Sequence, residues 1–384
     1  MKSIIKTIAV AFVATLTLTS CSKDDDGATG TDESNELRIV TQFVDHTVAP
    51  TYSALAAHAE QLAEQLIALR ANPTQSALEE ACNTFLAARE QWEKSEAFLF
   101  GAAGDFGVDP HIDSWPLDEN AFNNLMSSPS MLEALDDEDG DMVAGEQLGN
   151  ALLGFHGIEY ILFKEGHAKP VAEITSNEWI YVTAVAGDLR NRCFQLEVSW
   201  MGDAAPASHI EKLEEIELPY TVASGDDSYG DNMKNAGQAG STYRNAKSAV
   251  MAMVQGCIDI ADEVGTSKIG MAYTGADLTY IESPYSQNSV EDFYNNIISI
   301  RNSYMGGIEG QRDESRSLHH YVAGINSQLD SRVQDAIQNA LDKIDAMPHP
   351  FVNNISAPAN GEAMEACAAL SDVLSEVVEE IRNN

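Results

Sequence analysis

The sequence predicts an all-α protein built as two packed helical bundles. Three observations lead there: runs with apolar residues at helical spacing fill most of the chain, strand-type alternation is nearly absent, and a Gly202–Pro206 break divides the chain after its leader into halves of similar length and helix content. This plan is compatible with an internal duplication, although no residue-level repeat establishes one.

Residues 1–20 read as a lipoprotein signal peptide. Lys2 and Lys6 form a positive region, residues 8–18 an apolar stretch, and Leu18-Thr19-Ser20-Cys21 a lipobox-like cleavage site. The stretch is too short for a convincing membrane span. Cys21 is the expected lipidation site and couples the chain to a membrane. Residues 21–35 form a polar tether without apolar periodicity, expected to be disordered. Its Lys23-Asp24-Asp25-Asp26 run resembles a surface-export signal of outer-membrane lipoproteins, so the expected location is the cell envelope, at the outer membrane on its surface or periplasmic face.

The following residues divide at 36–203 and 204–384. Helices are expected at 36–69, ending before Pro73, and from Thr74 or Ser76 to about Phe100. Residues 101–120 carry three glycines and two prolines, a loop of the kind that is usually functional inside a compact domain. Helical patterns resume at 142–163, 176–200, 207–217, 241–263, 289–304, 326–346 and 360–381. With 22 basic and 60 acidic side chains and a net charge of −38, the chain argues against nucleic acid as a partner. Cys82, Cys193, Cys257 and Cys367 stand singly in helical patterns with no C-x-x-C pair, so buried free thiols are expected over disulfides or a zinc ribbon.

Two of these helices place carboxylates where apolar residues belong. On a wheel anchored at Leu148, Leu152, Phe155, Leu162 and Phe163 share one direction, and Glu159 falls at about 20° within that stripe. His156 lies near its edge, one turn from Glu159. Gly154 and Gly157 occupy the back of the helix, where a missing Cβ admits another backbone. On a wheel anchored at Trp92, Glu96 falls on the apolar stripe with Leu78, Ala81, Phe85, Ala88 and Leu99.

A lone buried carboxylate is costly, so each needs a cation, a hydrogen bond, a proton or a metal. Arg89 is the plain ion-pair partner for Glu96, and a histidine–carboxylate hydrogen bond could serve the core alone. His and Glu at i and i+3 can also share one ion with ligands from facing helices. Glu96 and Asp113 could complete a mixed N/O set suited to iron, zinc or another divalent metal. The usual zinc-peptidase helix, with two histidines four apart, is absent, since Tyr160 stands four residues after His156.

The run Gly154-Phe155-His156-Gly157-Ile158-Glu159-Tyr160 resembles the G-x-H-x-x-E signature of the imelysin family, also classed as peptidase family M75. Trp92-Glu93-Lys94-Ser95-Glu96 and Ile112-Asp113-Ser114-Trp115-Pro116-Leu117 resemble its early-helix and Trp-Pro loop motifs. Glu282-Ser283-Pro284-Tyr285-Ser286, with Asp292, Asn296, Tyr304 and Gly306, is similar to its weaker C-terminal pattern. The resemblance implies two bundles with a His-x-x-Glu site near their junction. It assigns His156, Glu159, Glu96 and Asp113 to a metal and Trp115 and Ser286 to ligand binding. It also implies iron acquisition with a metal ion or metal-bearing ligand and an envelope iron-uptake partner protein. The alternative is a metallopeptidase using the same residues.

Other candidates read as solvated surface. Those are His319-His320, the acidic 136–141 run, which lacks the EF-hand spacing, and Asp226-Asp227.

Overall fold

Ser34 caps the first helix, its Oγ accepting from the Leu37 amide at 3.2 Å. A computed structural model describes residues 34–222 and 225–384, so the signal peptide, Cys21 and nearly all of the tether lie outside the described residues. Helix Asn35–Phe43 passes through a π-turn, Val44–Val48, into Ala49–Ala71, which stops at Asn72 before Pro73. Thr74 then caps Gln75–Glu93.

That helix ends at Glu93, not near Phe100. Ser95 takes the Trp92 carbonyl with both its amide and its Oγ, at 2.8 and 2.7 Å, which removes the acceptor that would continue the helix. A 3₁₀ turn, Glu96–Phe98, follows. The 101–120 stretch is more ordered than expected, holding short helices at Ala102–Asp105 and Val108–Ile112.

The expected 142–163 helix is three pieces: Gly140–Gln147, a 3₁₀ turn at Asn150–Leu152, and Gly154–Leu162. Leu148 and Leu153 are extended, which breaks the wheel anchored at Leu148. The last piece is buried almost all round rather than along one stripe, with Ile158 and Ile161 as inaccessible as Phe155 and Glu159. Helices Glu119–Met126, Pro129–Leu135, Tyr229–Lys234 and Leu318–Ile325 are too short for a clear period and were not expected.

Among the described residues the fold is all-α apart from a two-strand hairpin pairing Phe163–Lys164 with His167–Ala168. In one group Ser176–Met201 packs on Ala49–Ala71, which packs on Gln75–Glu93; Gly140–Gln147 and Gly154–Leu162 flank Ser176–Met201. In the other, Ala246–Glu263, Ser289–Tyr304, Ser327–Asp345 and Pro358–Asn383 pack together. The first helix, Asn35–Phe43, crosses to lie on Ala246–Glu263. Gln75–Glu93 meets Ser289–Tyr304, and the apolar core runs continuously through both groups. Cys82, Cys193, Cys257 and Cys367 are buried free thiols.

Candidate functional site

Gly154 fixes the start of the signature helix. Its φ is +64°, and a Cβ there would lie 1.8 Å from the Ile112 carbonyl oxygen, so the helix and the Asp113 loop touch backbone to backbone. Gly157 makes room for the Tyr181 hydroxyl, 2.4 Å from where its Cβ would stand. These contacts bring Asp113 to His156.

His156 lies between two carboxylates, with Nε2 3.1 Å from Asp113 Oδ1 and Nδ1 3.4 Å from Glu159 Oε2. Burial alone would lower its pKa, but the hydrogen bonds it donates to Asp113 and Glu159 outweigh that and push it up to about 9. The Asp113 carboxyl is held far below the usual range: burial raises it, but the Arg89 guanidinium and His156 win. Trp92 Nε1 donates to Asp113 Oδ2 at 2.7 Å.

Glu159 reaches across to the second half. Its Oε1 accepts from the Ser286 amide and hydroxyl, each at 2.7 Å, and from the Tyr285 amide at 3.1 Å. The loop that supplies these donors is strained, with Ser283 at φ 49° and Gln287 at φ 60°. Non-glycine residues in that region persist where surrounding structure holds them, often at functional sites.

Behind this pair lies a buried ionic cluster. Arg89 contacts Glu93, Asp113 and Glu282, with Asp292 at 3.5 Å from Nε. Lys268 places Nζ 3.0 Å from Glu282 and 3.5 Å from both Glu93 and Glu96. Asn296 donates to Glu93, and Ser283 and Asn288 donate to Asp292. Burial pushes Glu93 and Glu96 well above the normal carboxylate range, and Asp292 up to about 6.

Six buried carboxylates (Glu93, Glu96, Asp113, Glu159, Glu282, Asp292) thus face three buried cationic groups, Arg89, Lys268 and His156. Fully ionised, the cluster carries three negative charges in excess. Such an excess is tolerable in an interior only with added protons or a cation. Three sets can each bring one ligand atom apiece within 4.8 Å of one another: Asp113, His156 and Glu282; Glu93, Glu96 and Asp113; Glu93, Glu282 and Asp292. Glu282 Oε2 is buried without a hydrogen bond. Oxygen and imidazole donors in this proportion suit a divalent transition metal.

Beside His156 opens a cavity of about 420 Å³, whose walls include Trp115, Pro116, Glu119, Ile281 and Tyr285. The Trp115 ring lies 5.7 Å from the His156 ring and 5.1 Å from Tyr280.

The structure therefore brings His156, Glu159 and Asp113 together, with Trp115 against His156 and Ser286 on Glu159. Glu96 sits apart from His156, on Lys268 and beside Glu93, and it lies in the 3₁₀ turn rather than on the helical stripe. Arg89 pairs with four other carboxylates and not with Glu96. Cys21 lies outside the described residues. Glu93, Glu282 and Asp292 stand in the motifs quoted from the sequence without a role assigned to them, and Lys268 stands in none. Lys268 had a signal: it stands seven residues after buried Ala261, about two helical turns, and so on the apolar stripe. His319, expected to be solvated, bonds Asp330 at 2.8 Å across a helix pair.

The sequence model of the imelysin family, peptidase family M75, matches residues 48–377. Iron-regulated protein A of Synechococcus elongatus is 29% identical over 345 residues, covering 88% of this chain and 84% of that protein. A crystal structure described as an iron-regulated protein A precursor from Parabacteroides distasonis is 30% identical, with a TM-score of 0.78 over 93% of this chain and 97% of that one. An imelysin-like protein from Psychrobacter arcticum shares the fold at 13% identity, with a TM-score of 0.58 over 91% and 94% of the two chains. With the family model matched over residues 48–377 and the all-α fold shared along most of its length, this chain belongs to the imelysin family.

Proposed function

We propose that this protein binds a divalent metal ion through Asp113, His156 and Glu282, serves iron acquisition in the cell envelope, and is held at the outer membrane by lipid on Cys21. The observation that carries the metal reading is the donor geometry: atoms of Asp113, His156 and Glu282 lie within 4.8 Å of one another in a buried cluster where six carboxylates meet three cationic groups. Glu159 supports His156 from behind, and Ser286 fixes Glu159. Iron is the favoured ion because two relatives are named as iron-regulated proteins. The cavity at Trp115 leaves space for a metal-bearing ligand next to His156. An envelope iron-uptake protein is the expected partner.

The alternative is a metallopeptidase at the same centre. Glu159 makes a poor free base for it, since Oε1 is taken by Ser286 and Tyr285 and Oε2 by His156. Calorimetric titration with Fe²⁺ under anaerobic conditions tests the reading, using wild type, His156→Ala and Asp113→Asn. One ion per wild-type chain, with affinity lost at least tenfold in both variants, is expected. Unchanged binding in both variants would refute the assigned centre. Chelator-sensitive cleavage of casein, lost in both variants, would establish the peptidase instead. Labelling with radioactive palmitate, abolished by Cys21→Ala, tests the anchor.

A further inference from the structure

We propose that Lys268 is a built-in substitute for a second metal ion, and that its ammonium restricts the centre to one ion. This rests on the metal reading above. The carboxylates of this cluster are numerous enough for a two-ion site of the kind that helical bundles build from facing glutamates and a histidine. Two of the ligand sets, Asp113 with His156 and Glu282, and Asp113 with Glu93 and Glu96, share Asp113. A shared carboxylate is what a bridged ion pair requires.

The second place is filled by protein. Lys268 Nζ stands 3.5 Å from Glu93 and from Glu96 and 3.0 Å from Glu282, fully buried, with its charge 5.2 Å from the Trp115 ring centroid. It comes from a π-turn, Val264–Ile269, an irregularity frequent at functional sites. The orphaned Oε2 of buried Glu282 points to a further ligand in the same cluster. An ammonium is compact and fixed at one charge, so it neutralises the Glu93–Glu96 nest without offering a coordination position. The same group holds Trp115, through cation–π attraction, against His156 at the cavity wall.

The test is metal stoichiometry, measured with Mn²⁺ by equilibrium dialysis on the whole protein. Wild type is expected to bind one ion per chain and Lys268→Met, which keeps length and removes charge, two. Adding Glu96→Gln to Lys268→Met should return the count to one, since Glu96 touches the ammonium and lies outside the His156 set. One ion in both wild type and Lys268→Met would overturn the inference and leave the metal function standing. None in wild type but one in Lys268→Met would support the role of Lys268 and refute the His156-centred ion. None in either would refute both. Should Lys268→Met be unfolded without metal, circular dichroism provides the readout: recovery of helix on adding Mn²⁺ supports the substitution of ion for ammonium, and no recovery overturns it.

Discussion

Replacing Gly154 by alanine tests how the signature helix and the Asp113 loop are held in register. The new Cβ would stand 1.8 Å from the Ile112 oxygen and 2.2 Å from its carbon, where ordinary contact begins near 3.4 Å, so backbone must yield by roughly 1.6 Å. The left-handed φ of +64° adds about 1–2 kcal/mol, and forced displacement in a packed core about 1–3 kcal/mol. A loss of about 2–5 kcal/mol follows. Gly107 supplies the control. Its φ is +61°, yet nothing lies within 4 Å of a Cβ there, so Gly107→Ala carries only the conformational term, about 1–2 kcal/mol. Urea denaturation followed by tryptophan fluorescence measures both, and Fe²⁺ titration reads the consequence for Asp113, the residue after Ile112. Metal affinity should fall at least tenfold in Gly154→Ala and stay unchanged in Gly107→Ala. Equal destabilisation by the two substitutions would refute the argument that backbone contact at Ile112 sets the site.

Four further outcomes are expected. Ser286→Ala removes one of three donors to Glu159 Oε1 and should cost about 1.5–3 kcal/mol in chemical denaturation; a loss below about 0.3 kcal/mol would show that the two amides suffice. The metal-free protein should lose stability as pH rises from about 6.5 to 9, because His156 titrates near 9 when folded and near 6.5 when unfolded. Its contribution, up to about 3 kcal/mol, is complete below the lower value and gone above the higher; a melting temperature that rises across that window in EDTA would contradict it. Arg89→Lys keeps the charge but not the planar fork that reaches four carboxylates, and should destabilise by about 2–4 kcal/mol, where a neutral result would make the fork dispensable. With Cys21 replaced by alanine, the other four thiols should be silent to Ellman's reagent until denaturant is added, since burial pushes Cys82, Cys257 and Cys367 up to about 12; labelling of the native protein would refute that packing.

Where periodicity was long, the sequence was a sufficient guide. Helices at 176–201, 289–304 and 327–345 fall within a residue or so of their expected bounds, because caps such as Thr175 and Asn326 are legible in one dimension. The 142–163 segment was misread because Gly149 and Gly154 are tolerated by a wheel but break the helix in space. Glu96 was placed on a buried face for the wrong reason: the helix had ended, and a 3₁₀ turn buried it against Lys268 instead. His156 and Glu159 were identifiable because a buried polar pair at i and i+3 stands out against apolar neighbours, and Asp113 because it sits in the irregular loop before Trp115-Pro116. Their partners were not, since Glu282, Asp292 and Lys268 lie over 100 residues away and only folding brings them near. Of the Arg89 partners only Glu93, four residues on along the same helix, stands at a spacing the sequence makes legible; Glu282 and Asp292 are brought to it by folding.

The polar cluster also explains why the two halves dock. Arg89, Glu93, Glu96, Asp113, His156 and Glu159 belong to the first half, leaving four carboxylates to two cationic groups. Lys268 and Asn296 from the second half relieve Glu93, and Lys268 relieves Glu96; Tyr285 and Ser286 supply all the hydrogen bonds at Glu159 Oε1. In return, Arg89 neutralises Glu282 and Asp292; in the second half Lys268 reaches Glu282. Apolar burial between the halves is not specific in register, whereas these pairs tolerate little slippage, because an unpaired charge in the interior costs several kcal/mol. Docking and assembly of the proposed metal centre are therefore one event: Asp113 and His156 from the first half and Glu282 from the second reach each other only when the two halves share these ion pairs.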